Sequence, residues 1–284
     1  MEKAITYVPF RDGNFDRFGD LRFEKIKDAG FSCVNYEMAN TKRFFYTASL
    51  NEVKEYVLKE KRLAINAGID IHQMHGPWRW PIVDSSEEER AEGIKIMERS
   101  IWLASLMDCK YWVIHPIMPF GIEDIGTGNE EKTFEINVLF MKELLVIAKK
   151  YGVVICLENM PFPNYSLSTI DGILKVVNEI NDDNFKVCLD TGHIVCINNE
   201  TPADAVRKLG NNIGTLHVHD TMIGYDYHLM PYFGVVDWKD FGNALNEIAF
   251  DGAFCWEITL TRKYSDRLFM RTAKLLSEII DDIV

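Results

Sequence analysis

Hydrophobic and polar positions alternate with two different periods along the chain. Short apolar or β-branched runs are separated by longer amphipathic stretches, a pattern typical of parallel strands joined by helical crossovers. The pattern predicts eight strands, at 4–9, 32–38, 69–75, 111–116, 153–159, 186–190, 214–219 and 253–259. It predicts helices near 20–29, 49–67, 86–107, 131–151, 168–181, 201–210, 237–250 and 264–282.

The ends of these helices carry recognisable capping signals. Serine or threonine at an N-cap satisfies free backbone amides, and glycine after a helix accepts the left-handed conformation at little cost. The N-terminal signals are Ser49 with Glu52, Ser85 with Glu88, and Thr201 before Pro202. The glycines that precede strands are Gly30, Gly68, Gly152 and Gly252.

The repeated strand-helix unit predicts an α/β fold, a (β/α)8 TIM barrel formed as a single domain over residues 1–284. Barrels of this kind commonly use about 250 residues, and no linker or low-complexity segment divides the chain. A doubly wound open sheet is the alternative, but it usually places a glycine-rich phosphate loop after its first strand. Here residues 9–14 read PFRDGN, and the chain has no G-x-G-x-x-G or Walker sequence.

Composition and charge narrow the class of partner. The formal net charge of −12 disfavours a broad phosphate-binding surface, so we expect no nucleic-acid partner. Without a targeting or membrane-spanning segment we expect a cytoplasmic protein with no membrane partner. The six cysteines lack C-x-x-C spacing and are predicted to be reduced core thiols. Aromatic-rich loops make a homodimer plausible.

Metal-capable side chains stand at the carboxyl ends of the predicted strands from the third onward, where the active sites of parallel barrels form. They are His75, His115, Glu158, Asp190, His217 with His219, and Glu257. Three of them are carboxylates that follow apolar runs, where an ionised group is costly unless it is paired or bound to metal. No basic residue adjoins them in sequence, so a divalent cation is the favoured partner over a buried Arg or Lys.

Side-chain alternation is compatible with an inward-facing site. Residues two apart on a strand share a face, so His217 and His219 point the same way, opposite to Leu216 and Val218. By the same count Cys188 lies in phase with Asp190, and Cys255 with Glu257. Small thiols would then fill the narrow barrel interior beneath the carboxylates.

The chain resembles the xylose isomerase-like barrel superfamily, which includes sugar and sugar-phosphate isomerases and epimerases as well as endonuclease IV. The likeness rests on L-E-N at 157–159, L-D-T-G-H at 189–193, H-V-H-D at 217–220, D-Y-H at 226–228 and Glu257. The resemblance implies one divalent ion (Mn, Mg, Co or Zn) held by Glu158, Asp190, His217 and Glu257. His217 is preferred over His219 because the family pattern reads His-x-x-Asp/Glu, completed by Asp220. The residues expected to contact substrate are His193, His75, His115, His219 and His228.

The activity implied by the resemblance is isomerisation or epimerisation of a sugar, sugar phosphate or keto-sugar. Glu158 and Glu257 would be the catalytic residues that remove and return a proton beside the carbonyl, through a metal-stabilised enediolate. A metal-dependent lyase or dehydratase acting on a keto-sugar, keto-inositol or glycoside would use the same step. A sugar-binding barrel without turnover is a third possibility, disfavoured because every expected ligand position is filled.

An endonuclease IV-like zinc phosphodiesterase is the competing interpretation. His75, His115, Asp226 and His228 match further positions of that enzyme's three-metal cluster, which implies a possible multi-zinc site. The acidic charge, the H-P-I-M-P sequence at 115–119 and E-N-M-P-F at 158–162 depart from that enzyme.

Two features near the predicted mouth bear on the substrate. H-L-M-P-Y-F-G-V-V-D-W at 228–238 resembles the H-x-x-P-G-x-G-x-x-D-W loop of sugar-active members, but departs from it with Tyr232 and Phe233 lying between Pro231 and Gly234. Aromatic rings expected near the mouth could stack on a sugar or pack the loops onto the barrel. They are Trp78, Trp80, Phe120, Phe162 and Tyr165.

Overall fold

Eight parallel strands alternate with helices along the chain. The computed structural model describes residues 1–10, 14–258 and 260–284. The strands are β1 (Glu2–Tyr7), β2 (Cys33–Glu37), β3 (Asp70–His75), β4 (Tyr111–Ile114), β5 (Val154–Glu158), β6 (Phe185–Asp190), β7 (Ile213–His217) and β8 (Ala253–Trp256). The helices are α1 (Arg22–Asp28), α2 (Phe44–Thr47), α3 (Leu50–Ala67), α4 (Glu87–Leu106), α5 (Glu130–Tyr151), α6 (Ile170–Ile180), α7 (Thr191–Ile197), α8 (Pro202–Leu209), α9 (Trp238–Glu247) and α10 (Asp266–Ile283). Short 3-10 segments at Phe15–Leu21 and Gly210–Asn212 complete the order.

Consecutive strands are neighbours in the sheet, which runs from β7 back to β1 and then to β8. The last two strands meet through Val218, whose amide donates to Cys255 O at 2.8 Å and whose carbonyl accepts from Glu257 N at 2.9 Å. These bonds bring β8 against the end of β7. The predicted (β/α)8 TIM barrel is therefore confirmed.

The core has two layers, as the barrel fold requires. Leu216 and Val218 belong to the large apolar layer between strands and helices. Small residues fill the interior, where Cys188 packs with Cys156 and Cys255 packs with Cys33. The predicted alternation is confirmed. All six cysteines are buried free thiols. No helix among the described residues combines the length and apolar character needed to cross a bilayer.

Some of the predicted strands extend further toward the mouth of the barrel than the observed strands do. The fourth was predicted to reach Pro116 and the seventh to reach His219, whereas the ladders end at Ile114 and His217. The eighth ends at Trp256, and the predicted end at Thr259 lies outside the described residues. The apolar pattern continues past the ladder because loop residues at the mouth are also buried.

The predicted helix ends are mostly confirmed, with two corrections. Ser49 and Glu52 form a capping box, and Thr201 caps α8 before Pro202. The second predicted capping box is wrong by one residue. Ser86 and Glu89 form the box at the start of α4, and the Ser85 hydroxyl also donates to the Glu89 carboxylate. Gly30, Gly68 and Gly152 have the expected positive φ. Gly252 does not, because Ala249 at φ 51 has already turned the chain out of α9.

Candidate metal centre

Three carboxylates and one imidazole converge at the carboxyl end of the barrel. Glu158 ends β5, Asp190 ends β6, His217 ends β7, and Glu257 directly follows β8. One potential ligand atom from each lies within 4.8 Å of those of the other three. Four separate strands thus deliver these side chains to one point.

The negative charge of these carboxylates favours a bound cation. Nδ1 of His217 lies 2.9 Å from Glu158 Oε1 and 3.0 Å from Glu257 Oε2. Among the described residues, the ion-pair partners of the carboxylates are all histidines. Oε2 of Glu158 and Oδ2 of Asp190 are buried without a hydrogen-bond donor. Buried anionic oxygens without donors are costly, so these residues fit a divalent ion.

Asp190 is held rigidly by its neighbours. Its backbone amide donates to Asn159 Oδ1 at 2.9 Å, and Asn159 Nδ2 donates to the Asp190 carbonyl at 3.1 Å. Its Oδ1 caps α7 by accepting from His193 N at 2.7 Å. Because these bonds fix the carboxyl group through Oδ1, Oδ2 is left to face the cluster.

Two further histidines flank Glu158 on the side of β3 and β4. His115 Nε2 lies 3.0 Å and His75 Nε2 lies 3.4 Å from Glu158 Oε2. Nδ1 of His75 donates to the carbonyl of Gly76 at 2.8 Å, which directs Nε2 at the carboxylate. This orientation is common among metal-binding histidines.

A second group of imidazoles surrounds Asp226 in the loop after β7. Its carboxylate oxygens lie 3.5 Å from Nε2 of His193, 3.5 Å from Nε2 of His219 and 3.4 Å from Nε2 of His228. His193 and His228 donate from Nδ1 to the carbonyls of Asn159 and Glu257, at 2.6 and 2.8 Å. His219 also approaches Asp190 Oδ1 at 3.2 Å, which joins this group to the first.

The electrostatic environment shifts several of these pKa values strongly. Burial would raise the pKa of Glu158, but His217 and His115 outweigh it and hold that pKa well below its usual range. The pKa of Glu257 is likewise lowered, because His217 outweighs burial. Burial would lower the pKa of His75, yet Glu37 and Glu158 raise it to about 9. Burial dominates at His115, whose pKa is lowered. The two glutamates are therefore ionised at neutral pH.

The loop at 228–238 directs the two residues that follow Pro231 outward. Tyr232 takes a φ of 69, and Tyr232 and Phe233 are 62% and 68% exposed. Asp220 anchors the same loop by accepting from Val236 N at 3.2 Å and Trp238 Nε1 at 3.3 Å. The departure from the family pattern therefore changes the exposed surface of the loop.

A cavity of about 390 Å³ opens over the cluster and is termed here the catalytic pocket. Its metal-capable lining residues are His75, His115, Glu158, His193, Asp226, His228 and Glu257. Trp78, Trp80 and Phe162 form an aromatic wall, as predicted. Tyr165 is instead fully buried and donates to Ile117 O at 2.7 Å, and Phe120 does not line this pocket. For Tyr165, packing of the loops onto the barrel was the correct alternative, whereas Phe120 is 41% exposed.

Of two acidic residues beside the site, Glu37 was not among the predicted site residues, and Asp226 was predicted only in the multi-zinc interpretation. Glu37 ends β2 in register with His75, and Asp226 joins three histidines. Glu37 follows the apolar run of β2 as the other carboxylates follow theirs, so the same signal was present one strand earlier. Asp226 lies in a loop, where periodicity gives no orientation.

Comparison with known proteins places the chain among barrels of one class. The model of the xylose isomerase-like TIM barrel family matches residues 23–277, so the chain belongs to that family. D-psicose 3-epimerase of Enterocloster bolteae is 27% identical over 253 residues, which cover 84% of this chain and 77% of that protein.

Solved structures show the same fold over essentially the whole chain. D-psicose 3-epimerase from Clostridium cellulolyticum H10, solved with D-tagatose, superimposes with a TM-score of 0.78 at 20% identity, covering 100% of this chain and 99% of that one. The 3-keto-D-glucoside 4-epimerase YcjR from E. coli gives 0.75 at 17% identity, covering 98% and 99%. At these identities the likeness establishes the fold alone.

Proposed function

We propose that this protein is a divalent-metal-dependent isomerase or epimerase of a sugar, sugar phosphate or keto-sugar. The observation that carries the proposal is the approach of Glu158, Asp190, His217 and Glu257 within 4.8 Å at the barrel mouth. The sugar-epimerase activity of relatives such as D-psicose 3-epimerase supports the reaction class. The chain is proposed to act as one domain, on a small carbohydrate.

The metal ligands are these four side chains. A bound divalent ion would supply Lewis-acid stabilisation of negative charge on substrate oxygens. Three carboxylates and one imidazole suit Mn²⁺, Mg²⁺ or Co²⁺, whereas recruitment of neighbouring histidines would favour Zn²⁺. Which metal binds therefore depends on whether histidine nitrogens from neighbouring residues coordinate it together with these four side chains.

Glu158 and Glu257 are the proposed catalytic residues. Both carboxylates approach the same nitrogen of His217, from β5 and from the end of β8. With lowered pKa values both are ionised and able to accept a proton from the carbon beside a carbonyl. Opposed carboxylates allow removal from one face and return to the other, as epimerisation requires.

The surrounding histidines are proposed to bind and orient the substrate. His193 and His228 present Nε2 to the pocket because their Nδ1 protons are engaged by backbone carbonyls. His75 and His115 lie on the opposite side of Glu158, below the aromatic wall. His219 is fully buried and is proposed to act on the substrate through Asp190 and Asp226.

Proton exchange tests this function directly. The purified protein is analysed for bound metal and then incubated in D₂O with D-fructose, D-psicose, D-tagatose and their phosphates. Metal-dependent deuterium incorporation beside the carbonyl supports the proposal. A metal-loaded protein that exchanges no proton in any ketose or phosphate contradicts it.

A zinc phosphodiesterase is the second candidate, favoured by the additional histidine groups. The structure brings together His75 with Glu158 and His217, and separately His219 with Asp226 and His228, each within 4.8 Å. Several zinc ions bound there would form a multi-metal site. Cleavage of abasic-site DNA without proton exchange in any ketose would establish this candidate. A third activity, that of a dehydratase, would be indicated by elimination of water from a keto-inositol.

A homodimer is also proposed, through the loop that follows β7. This loop exposes Ile223, Tyr225, Tyr227, Tyr232 and Phe233 together, and clustered apolar exposure is typical of interfaces. Sedimentation of the wild-type protein and a Tyr232→Ser, Phe233→Ser double variant would test it.

A further inference from the structure

A second cavity adjoins the catalytic pocket on the side of β1 and β2. This side pocket measures about 440 Å³, and its walls come from the ends of β1 and β2 and from residues after β8. Glu257 and His228 line both cavities. The two cavities therefore lie side by side, with a proposed catalytic carboxylate in the wall of each.

The walls of the side pocket suit the face of a ring. Phe10 and Phe45 lie 5.9 Å apart between ring centroids, and Phe10 stacks on Tyr56 at 4.9 Å. Leu260 and Phe269 add apolar surface on the opposite strand end. Aromatic rings held in this way bind the apolar faces of sugar or other rings, while polar groups at the edges give specificity.

Two residues that line this cavity have an unusual backbone conformation. Phe10 has a φ of 60 and is 46% exposed, and His228 has a φ of 47. Bulky residues are rare at positive φ, and such strain costs about 1–3 kcal/mol and concentrates at ligand sites. Both residues are in the lining of the side pocket, as strained residues at ligand sites are.

Hydrogen-bond donors stand at the opening of the side pocket. Arg43 and Asn40 line it and are exposed. The carbonyl oxygen of the Asn40 side chain accepts from Lys42 N at 3.0 Å, which leaves its amide group to donate. Donors at the rim of an apolar pocket match the hydroxyl oxygens of a second sugar ring.

We propose that the substrate is a glycosylated keto-sugar, with the keto-sugar unit in the catalytic pocket and a second sugar ring in the side pocket. The catalytic pocket alone falls within the range of about 300–1,000 Å³ for small-molecule sites, so one sugar unit does not need the side pocket. This inference rests on the proposed function and specifies its substrate class.

The test compares a free ketose with ketose disaccharides that keep the same reacting end. Isomaltulose and maltulose carry a glucosyl group on O6 and O4 of a fructose unit, so exchange of the C3 proton can be measured in each and in D-fructose. We expect kcat/KM for one of the disaccharides to exceed that for D-fructose by about tenfold or more, through a lower KM. Equal or better turnover of D-fructose would overturn the proposal.

Variants locate the preference in the side pocket. Ala39→Phe would fill the side pocket, and Arg43→Ala would remove a hydrogen-bond donor from its opening. Each is expected to reduce the ratio of the disaccharide kcat/KM to the fructose kcat/KM about tenfold. For Arg43→Ala this corresponds to the loss of one charge-assisted hydrogen bond. Arg62→Ala, at an exposed arginine of α3, is the matched control and should leave the ratio unchanged. An unchanged ratio in Arg43→Ala, or in a folded Ala39→Phe, contradicts the placement.

Calorimetric binding separates failure of this inference from failure of the proposed function. If no ketose exchanges, but isomaltulose or maltulose binds more tightly than D-fructose and Arg43→Ala removes the difference, the two-part site stands and the epimerase proposal falls. If D-fructose binds equally well, the two-part site falls whether or not exchange occurs.

Discussion

A Cβ atom added at Gly192 would lie 1.9 Å from Cε1 of His219. Gly192 is the second residue of α7, two residues beyond Asp190, and His219 is fully buried against it. The absence of a side chain at 192 is therefore what allows His219 to approach both Asp190 and Asp226. One glycine thus couples the two groups of metal-capable residues.

Gly192→Ala is expected to displace His219 and reduce kcat/KM at least tenfold. Overpacking in a dense interior typically costs about 1–3 kcal/mol, so some loss of stability should accompany the effect. Gly68→Ala is the control: its left-handed φ of 68 predicts a loss of about 1 kcal/mol, with activity unchanged. Wild-type proton exchange in Gly192→Ala would contradict the role given to His219.

Glu158→Gln and Glu257→Gln are each expected to abolish turnover while largely preserving the fold. Loss of a positioned acid or base typically costs about 10²–10⁴-fold in rate. Deuterium exchange and circular dichroism of both variants provide the measurement, with Glu179→Gln on exposed α6 as control. Substantial residual exchange in either variant would refute its assigned role.

Removal of bound metal is expected to lower the melting temperature. Repulsion among three clustered carboxylates is unrelieved without a cation, and a ligand at 100 times its Kd stabilises the folded state by about 2.7 kcal/mol. At about 2–4 °C per kcal/mol, chelation should lower Tm by about 5–10 °C, reversibly on adding Mn²⁺. Asp190→Asn should lose this response, and Asp251→Asn before β8 should keep it. A Tm insensitive to chelator in a protein shown to be stripped of metal would argue against the site.

Protonation of His72 should destabilise the fold in mild acid. Burial lowers the pKa of His72 below its ordinary value of about 6.5, despite the opposing effect of Asp70. Because the folded-state pKa is the lower one, the folded protein loses stability as pH falls below about 6.5. Denaturant unfolding between pH 7 and 5 should show a smaller decline for His72→Gln than for wild type; identical profiles would exclude this contribution.

The buried pair of Arg22 and Glu60 should behave as a unit that fixes α1 and α3 against the first two strands. Arg22 Nε donates to Glu60 Oε2 at 3.1 Å, and the hydroxyls of Tyr7 and Tyr36 approach the same oxygen. Glu60→Gln removes the buried partner of Arg22 and leaves it, among the described residues, only the exposed Asp20 carboxylate at 3.6 Å, so it should cost about 3–5 kcal/mol. Denaturant unfolding of Glu60→Gln, Arg22→Met and the double variant measures the coupling. Additive effects in this double-mutant cycle would show that the pair is not coupled.

The sequence alone determined the order of the eight strands and of eight of the helices, and the residues that reach the barrel mouth; the short helices α2 and α7 were not predicted. Those properties follow from local periodicity and from the rule that parallel strands present their carboxyl ends on one side. Glu158, Asp190 and Glu257 could be singled out because an acidic residue after an apolar run is improbable without a partner. The same rule applied to β2 would have found Glu37.

Only the tertiary structure decided how these residues are grouped. Sequence spacing cannot show that His115 approaches Glu158, that His219 joins Asp190 to Asp226, or that the side pocket opens beside Glu257. These contacts join residues far apart in the chain, and they depend on barrel closure and on loop conformations that have no periodicity. Distances between side chains from different strands are set by packing, which no local pattern encodes.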